Sequence, residues 1–296
     1  MDRWIALCLG LLIPSFVAAQ PAKKDASADD AIRIKKGIEY AKWGDRSMQL
    51  DLYVPKSDAP LPLIVWVHGG GWKAGSKDQP SPALRHLARG YAVAHIAYRF
   101  SQDAVFPAQI EDCRAAIRWL RANAKDYGYD PNRIGVWGAS AGGHLALLLG
   151  CGDSIKGFDK GPHLDVDAKV LCVCDWFGPT DLWTISEPVI KAKKESPLLS
   201  SLIGGPIASN KEKLTKASPT TYVTNKTAPV LIIHGDKDPL VPLSQSEQIQ
   251  QQLKQCSVEC RLHVIPNAGH GGLQFLGDDV NRLQDEFFDR HLKGNK

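Results

Sequence analysis

Residues Arg133-Ile134-Gly135-Val136-Trp137-Gly138-Ala139-Ser140-Ala141-Gly142-Gly143-His144 decide how the chain is read. A short β-type run ends in Gly-Ala-Ser-Ala-Gly, and a helical stretch begins at once. In that setting G-x-S-x-G is a nucleophile elbow, a serine on a strained strand-to-helix turn with its Oγ held out above a sheet. The residues two before and two after the serine must be small, because a Cβ there would strike the neighbouring strand or helix. The stretch from Ala141 to about Gly150 is apolar nearly all round (Leu145, Ala146, Leu147, Leu148, Leu149), which predicts a buried helix. Its N-terminus would aim backbone N–H groups and the positive end of the helix dipole at a developing oxyanion.

Working outward, the same alternation of strand and helix recurs. Leu63–Val67 is an unbroken apolar run, as expected of a strand buried on both faces. A helix is predicted around Ser81–Arg89 and a strand over Tyr91–Ala97. Phe106-Pro107-Ala108 opens a long helix, with Ile110, Cys113, Ile117 and Leu120 on one face and Arg114, Arg118 and Arg121 on another. Tyr127-Gly128-Tyr129-Asp130-Pro131 ends it. Beyond the elbow come strands at Val170–Cys174, Val230–Ile233 and Arg261–Ile265, with helices at Ser244–Lys254 and about Val280–Leu292. Ahead of all this, Ile32–Lys42 and Met48–Val54 alternate as an antiparallel hairpin around Trp43-Gly44-Asp45-Arg46-Ser47. The order predicts an α/β chain, a mostly parallel, doubly wound sheet in one domain over residues 32–296. Residues 178–225, rich in Lys, Ser, Pro and Gly, interrupt the rhythm where a small cap or lid would be inserted. Such folds place their chemistry at the carboxyl ends of the strands.

A serine hydroxyl needs a base, and the base needs a third group to fix its tautomer. With a nucleophile elbow the partners follow in the order Ser…Asp…His, downstream of Ser140. Asp238, in Gly235-Asp236-Lys237-Asp238-Pro239, lies further into the loop after its strand than the rival Asp236 and is preferred. His270, in Asn267-Ala268-Gly269-His270-Gly271-Gly272, sits on a glycine-rich loop after the last strand. The other eight histidines lack that position, and His68 and His234 read as braces for the loops they open. Acyl transfer also needs preorganised donors for an oxyanion. Ala141 N–H supplies one, and His68-Gly69-Gly70-Gly71 supplies the others, with Gly70 and Gly71 preferred and Gly69 a further option. A phosphate-binding reading of these glycines fails because no Lys-Ser/Thr follows.

Composition narrows the address and the partners. The chain has 296 residues, 44% of them hydrophobic and 23% charged, within the ordinary range for a globular protein. Residues 1–19 read as a signal peptide, with the apolar run Trp4–Ile13 before Val17-Ala18-Ala19 and cleavage after Ala19. The run is too short to span a bilayer comfortably, and the rival reading is an uncleaved anchor. A flexible lead-in, 20–31, follows, so the mature protein is expected to be secreted or periplasmic. Removing the leader takes one Asp and one Arg and leaves the net charge at +4. Lys191-Ala192-Lys193-Lys194 reads as solvated surface rather than a nucleic-acid patch. No Cys or His pairs have zinc-like spacing, so no metal is expected. Six cysteines remain after processing, and an exported protein permits disulfides; Cys256 and Cys260 are the best local pair.

The runs HGGGW (68–72), FPAQIEDCRAAIRWLRANA (106–124), PNRIGVWGASAGGHLA (131–146), FGPTDL (177–182), HGDKDPLVP (234–242) and NAGHGG (267–272) together resemble the α/β-hydrolase esterases. Within these they are similar to the BD-FAE-like branch, which includes bacterial acetylxylan and feruloyl esterases, and to the hormone-sensitive-lipase-like enzymes. The likeness spans about residues 35–293. It implies an α/β-hydrolase fold and hydrolysis of a small-molecule or polysaccharide ester without a cofactor, with Ser140, Asp238 and His270 as the triad. Trp72, Trp176 and Phe177 are candidate walls of the substrate pocket, with structural packing the alternative for Trp176 and Phe177 and bracing of the oxyanion loop the alternative for Trp72. The alternatives are an arylformamidase or prolyl-oligopeptidase-like peptidase on the same triad, or a non-catalytic binder of carbohydrate or of a partner.

Overall fold

The computed structural model describes residues 31–294; the leader and, but for Ala31, the lead-in lie outside the described residues. Eight strands form one sheet: β1 (Ile32–Trp43), β2 (Arg46–Pro55), β3 (Leu61–Val67), β4 (Ala92–Ile96), β5 (Tyr129–Ala139), β6 (Val173–Trp176), β7 (Val230–Gly235) and β8 (Cys260–Ile265). Their spatial order is β1-β2-β4-β3-β5-β6-β7-β8. The N-terminal hairpin pairs antiparallel and β2 joins β4 antiparallel, while every neighbour from β4 to β8 is parallel. The α-helices are α1 (Ala108–Tyr127), α2 (Ala141–Gly150), α3 (Leu182–Lys191), α4 (Pro197–Ile203), α5 (Lys211–Ala217), α6 (Ser244–Gln255) and α7 (Asp278–Phe288). A 3-10 helix occupies Pro82–Arg89.

β3 shows why an unbroken apolar run fits this sheet. Leu63, Val65 and Val67 pack with Ile110 and Ile117 of α1, Leu145 of α2 and Ile249 of α6. Ile64 and Trp66 join a second core with Leu283 and Phe288 of α7. A period of two sends alternate side chains to opposite faces, and helices cover both.

The structure corrects several details. β6 begins at Val173 rather than Val170, because Leu171 and Cys172 make only single bonds to β5 and Leu171 stays exposed. Cys256 and Cys260 are free thiols, as are the other described cysteines. Cys256 closes α6 as its C-cap and Cys260 opens β8 opposite Val230, so each is placed by its own element. The arginine face of α1 is covered as well. Arg114 forks onto Asp159 (2.7 and 2.8 Å), Arg118 reaches the same carboxylate, and both guanidiniums are buried. A buried arginine with a bidentate partner is stable, but the partner is remote in sequence.

Residues 178–225 fold as α3, α4 and α5 with short connecting turns. Asp181 Oδ1 caps α3 by accepting the N–H groups of Trp183 and Thr184. Leu182, Leu199, Leu202, Ile203, Ile207 and Leu214 bury themselves in the α1-side core. Helices of ten, seven and seven residues make only about two to three turns, too short for a periodicity to emerge from sequence.

Candidate active site

The elbow is built by close approach. A Cβ on Gly138 would collide with the carbonyl of Gly142, and one on Gly142 with the carbonyl of Val67 on β3. With both absent, β5 turns into α2 through Ser140 at φ 55°, ψ −121°. That region costs a non-glycine residue roughly 1–3 kcal/mol and persists only where the surroundings fix it. They do so here: Ser140 N–H donates to Trp176 O (2.8 Å) and Ser140 O accepts from His144 N–H (2.9 Å).

Three distant segments then converge on the hydroxyl. Ser140 Oγ lies 2.8 Å from His270 Nε2, and His270 Nδ1 lies 2.6 Å from Asp238 Oδ2. A carboxylate can only accept, so Nδ1 carries the proton and Nε2 is free to accept from the serine. Asp238 is held in turn, its Oδ1 accepting the N–H groups of Leu240 (2.8 Å) and Val241 (2.9 Å). Asp236 points elsewhere and accepts Asn267 N–H at 2.6 Å. His234 braces the acid loop: it donates from Nε2 to Val241 O (2.8 Å), accepts from Ser246 Oγ (2.7 Å) and stands 3.3 Å from Asp238 Oδ2.

The oxyanion loop leaves β3 at His68. Tyr98 Oη donates to His68 O (3.0 Å), and the two rings stack with centroids 4.5 Å apart. Among the described residues the N–H groups of Gly70 and Gly71 donate to no acceptor. Ala141, first in α2, has no intrahelical acceptor for its own. All three residues line one cleft with Ser140 and His270. Gly69 stands behind them, where a Cβ would lie 2.9 Å from Ala139 O.

The cleft encloses about 560 Å³. Leu182, Ile185 and Val189 of α3, Leu198 and Leu199 of α4, and Leu240 of the acid loop wall it, and among the described residues no Asp, Glu, Lys or Arg lines it. Trp72 also lines it. Trp176 and Phe177 do not. Trp176 is the last residue of β6, and the strand's alternation turns its ring into the α7-side core, 5.1 Å from Trp137. Phe177, at φ 44°, tucks its ring behind His270 at 4.5 Å between centroids and so supports the base from below.

One residue gave no sequence signal. Asp175 on β6 is fully buried against the first turn of α2, with Oδ1 accepting Gly178 N–H (3.0 Å) and Oδ2 without a partner. Burial pushes its carboxyl up to about 7, against the lowering effect of that N–H. A raised carboxyl favours the folded state in acid, and this contribution is lost as pH rises from about 4 to about 7. Asp175→Asn should therefore match wild type near pH 4. At pH 8 it should gain up to a few kcal/mol, several degrees in Tm, read by thermal melts across that range. Melts that stay parallel at every pH would remove this role from Asp175.

Among the described residues no group of three or more His, Cys, Asp or Glu side chains could hold a metal ion, and no helix is long and apolar enough to cross a membrane.

With this geometry in place, known proteins resemble the chain as follows. The BD-FAE family model matches residues 50–253. Esterase LipC of Mycobacterium tuberculosis is 30% identical over 90% of this chain and 68% of its own. The probable carboxylic ester hydrolase LipM of the same organism is 31% identical over 74% of this chain, which spans only 52% of LipM. Among solved structures, a truncated carbohydrate esterase from gut microbiota superposes with a TM-score of 0.79 at 28% identity, covering 88% of this chain and 96% of that one.

Proposed function

The chain belongs to the BD-FAE branch of the α/β-hydrolase esterases, and on that premise we propose that it cleaves short-acyl esters of carbohydrates through an acyl-enzyme on Ser140. The observation that carries this reading is the unbroken line from Ser140 Oγ through His270 to Asp238, opening onto a cleft with unspent amide donors. His270 Nε2 takes the Ser140 proton as Oγ attacks the ester carbonyl. The N–H groups of Gly70, Gly71 and Ala141 receive the oxyanion. The intermediate collapses with expulsion of the alcohol, which takes the proton from His270. Water, deprotonated by the same nitrogen, then attacks the acyl-enzyme, and the acid leaves as the proton returns to Ser140.

The substrate follows from two supports. Likeness to a carbohydrate esterase favours a sugar on the alcohol side. A cleft of about 560 Å³ walled by aliphatic side chains has room for acyl groups from acetyl up to a hydroxycinnamoyl ring. With residues 1–19 read as a cleaved leader, the enzyme meets such esters in the periplasm or outside the cell. Expressed as the full chain and recovered from the exported fraction, the protein should begin at Gln20 and release acetate from acetylated xylan or ferulate from feruloylated arabinoxylan. Hydrolysis of p-nitrophenyl acetate without release from either polysaccharide would remove the carbohydrate and keep the esterase. Retention of the leader in the cytosolic fraction would remove the address.

A further inference from the structure

Trp72 stands directly after the oxyanion glycines with φ at 56°, a backbone region that a bulky side chain occupies only when it is held there. Its holder is unusual. The indole Nε1–H donates to Nδ1 of His144 at 3.2 Å, and the two rings meet edge to face with centroids 5.1 Å apart. His144 is four residues beyond the nucleophile on α2, where its own N–H bonds to Ser140 O. Its other nitrogen, Nε2, lies 2.7 Å from the carbonyl of Ala217, the last residue of α5.

An indole N–H can only donate and a carbonyl can only accept, so the imidazole is fixed as the neutral tautomer with the proton on Nε2. No solvent reaches it. Burial lowers its pKa to about 4, so that tautomer persists through the neutral range. One buried ring therefore joins the oxyanion loop, the elbow helix and the inserted helices. On the cleft side, a Cβ on Gly71 would run into Leu198 of α4, so the inserted helices press the loop from above while His144 anchors it from behind. Trp72 is also held by its carbonyl, which accepts Ser101 N–H at 2.7 Å, and by packing of its ring in the core.

We propose that His144 is a positioning residue for the oxyanion hole: through Trp72 it sets the Gly70 and Gly71 amides against Ser140. The proposal rests on the acyl-enzyme reading above. Donors that act on the oxyanion act in the transition state, so displacing them lowers kcat rather than raising KM.

The test is steady-state hydrolysis of p-nitrophenyl acetate by His144→Leu, His144→Gln, Trp72→Phe and the Leu/Phe double variant, beside Ser140→Ala. His144→Leu, which removes both partners, should lower kcat about 10- to 100-fold with KM within about threefold. Glutamine presents one acceptor and one donor at the spacing of the two ring nitrogens, so His144→Gln should restore most of that loss. Trp72→Phe keeps an aromatic ring but removes the N–H, and it should lose kcat by itself. Because both residues act through one bond, the double variant should be no slower than the slower single variant.

Losses that multiply in the double variant, or that fall on KM, would mean ordinary packing and overturn the proposal. Wild-type kcat in His144→Leu beside an inactive Ser140→Ala would overturn it alone. Retained activity in Ser140→Ala would overturn the acyl-enzyme reading and this proposal together. Should His144→Leu not fold, Trp72→Phe decides by the same kcat criterion, and wild-type kcat there overturns the proposal.

Discussion

Ser140→Ala should lower kcat for ester hydrolysis by about four to six orders of magnitude, with the fold intact. The residue that changes lies at a strained φ of 55°, and alanine keeps the Cβ that the turn already accommodates. The thermal midpoint should therefore move little, because the lost hydroxyl makes one partly buried bond, to His270. What disappears is the hydroxyl that lies 2.8 Å from His270 Nε2, while Gly70, Gly71 and Ala141 keep their amides on the cleft. The residual rate should be the small one that an oxyanion site and binding supply without covalent catalysis. Quench-flow measurement of the p-nitrophenol burst checks the same point: wild type should show acyl-enzyme accumulation wherever deacylation limits, and the variant none. Activity within tenfold of wild type would move the nucleophile away from the elbow.

Asp238→Asn should lower kcat about 10⁴-fold, whereas Asp236→Asn should stay within about threefold of wild type. The reason lies in which oxygen each neighbour uses. Leu240 and Val241 N–H groups both donate to Oδ1 of Asp238. An asparagine there keeps its carbonyl on those donors and turns its NH₂ toward His270. Nδ1 must then accept, the ring proton moves to Nε2, and the base faces Ser140 with a donor where an acceptor is needed. Geometry is preserved and chemistry is lost, so circular dichroism and Tm should stay near wild type as kcat falls. At Asp236 the working contact is Oδ1 accepting Asn267 N–H, which an asparagine reproduces. The opposite ranking of the two variants would assign the third triad position to Asp236.

The sequence by itself determined whatever depends on contacts between near neighbours along the chain. Gly138 is required by a collision within the strand-turn-helix unit itself, so the elbow was legible in five letters, although Gly142 answers to Val67 on the neighbouring β3. The period of two in β3 and the run lengths of alternating strands and helices carried the doubly wound order. That order in turn placed Ser140, Asp238 and His270 at the carboxyl ends of β5, β7 and β8, although Ser140 and His270 are 130 residues apart. Depth in the loop was the ground for preferring Asp238 to Asp236, and it is Asp238 whose Oδ2 lies 2.6 Å from His270 Nδ1.

Tertiary structure alone decided what depends on remote partners. Arg114 and Arg118 read as a polar face of α1, and only Asp159 beyond α2 makes them a buried one. Trp176 read as a pocket wall beyond a strand ending at Cys174, but β6 runs on to Trp176 and its alternation turns the ring into the α7-side core. Residues 178–225 offered no periodic signal, yet α3 and α4 supply five of the seven Leu, Ile and Val side chains that line the cleft. The link from Trp72 through His144 to Ala217 lies in three segments that no spacing rule connects. Burial and pairing of polar groups are settled by desolvation against a specific partner, and both terms are fixed only once the chain has closed around them.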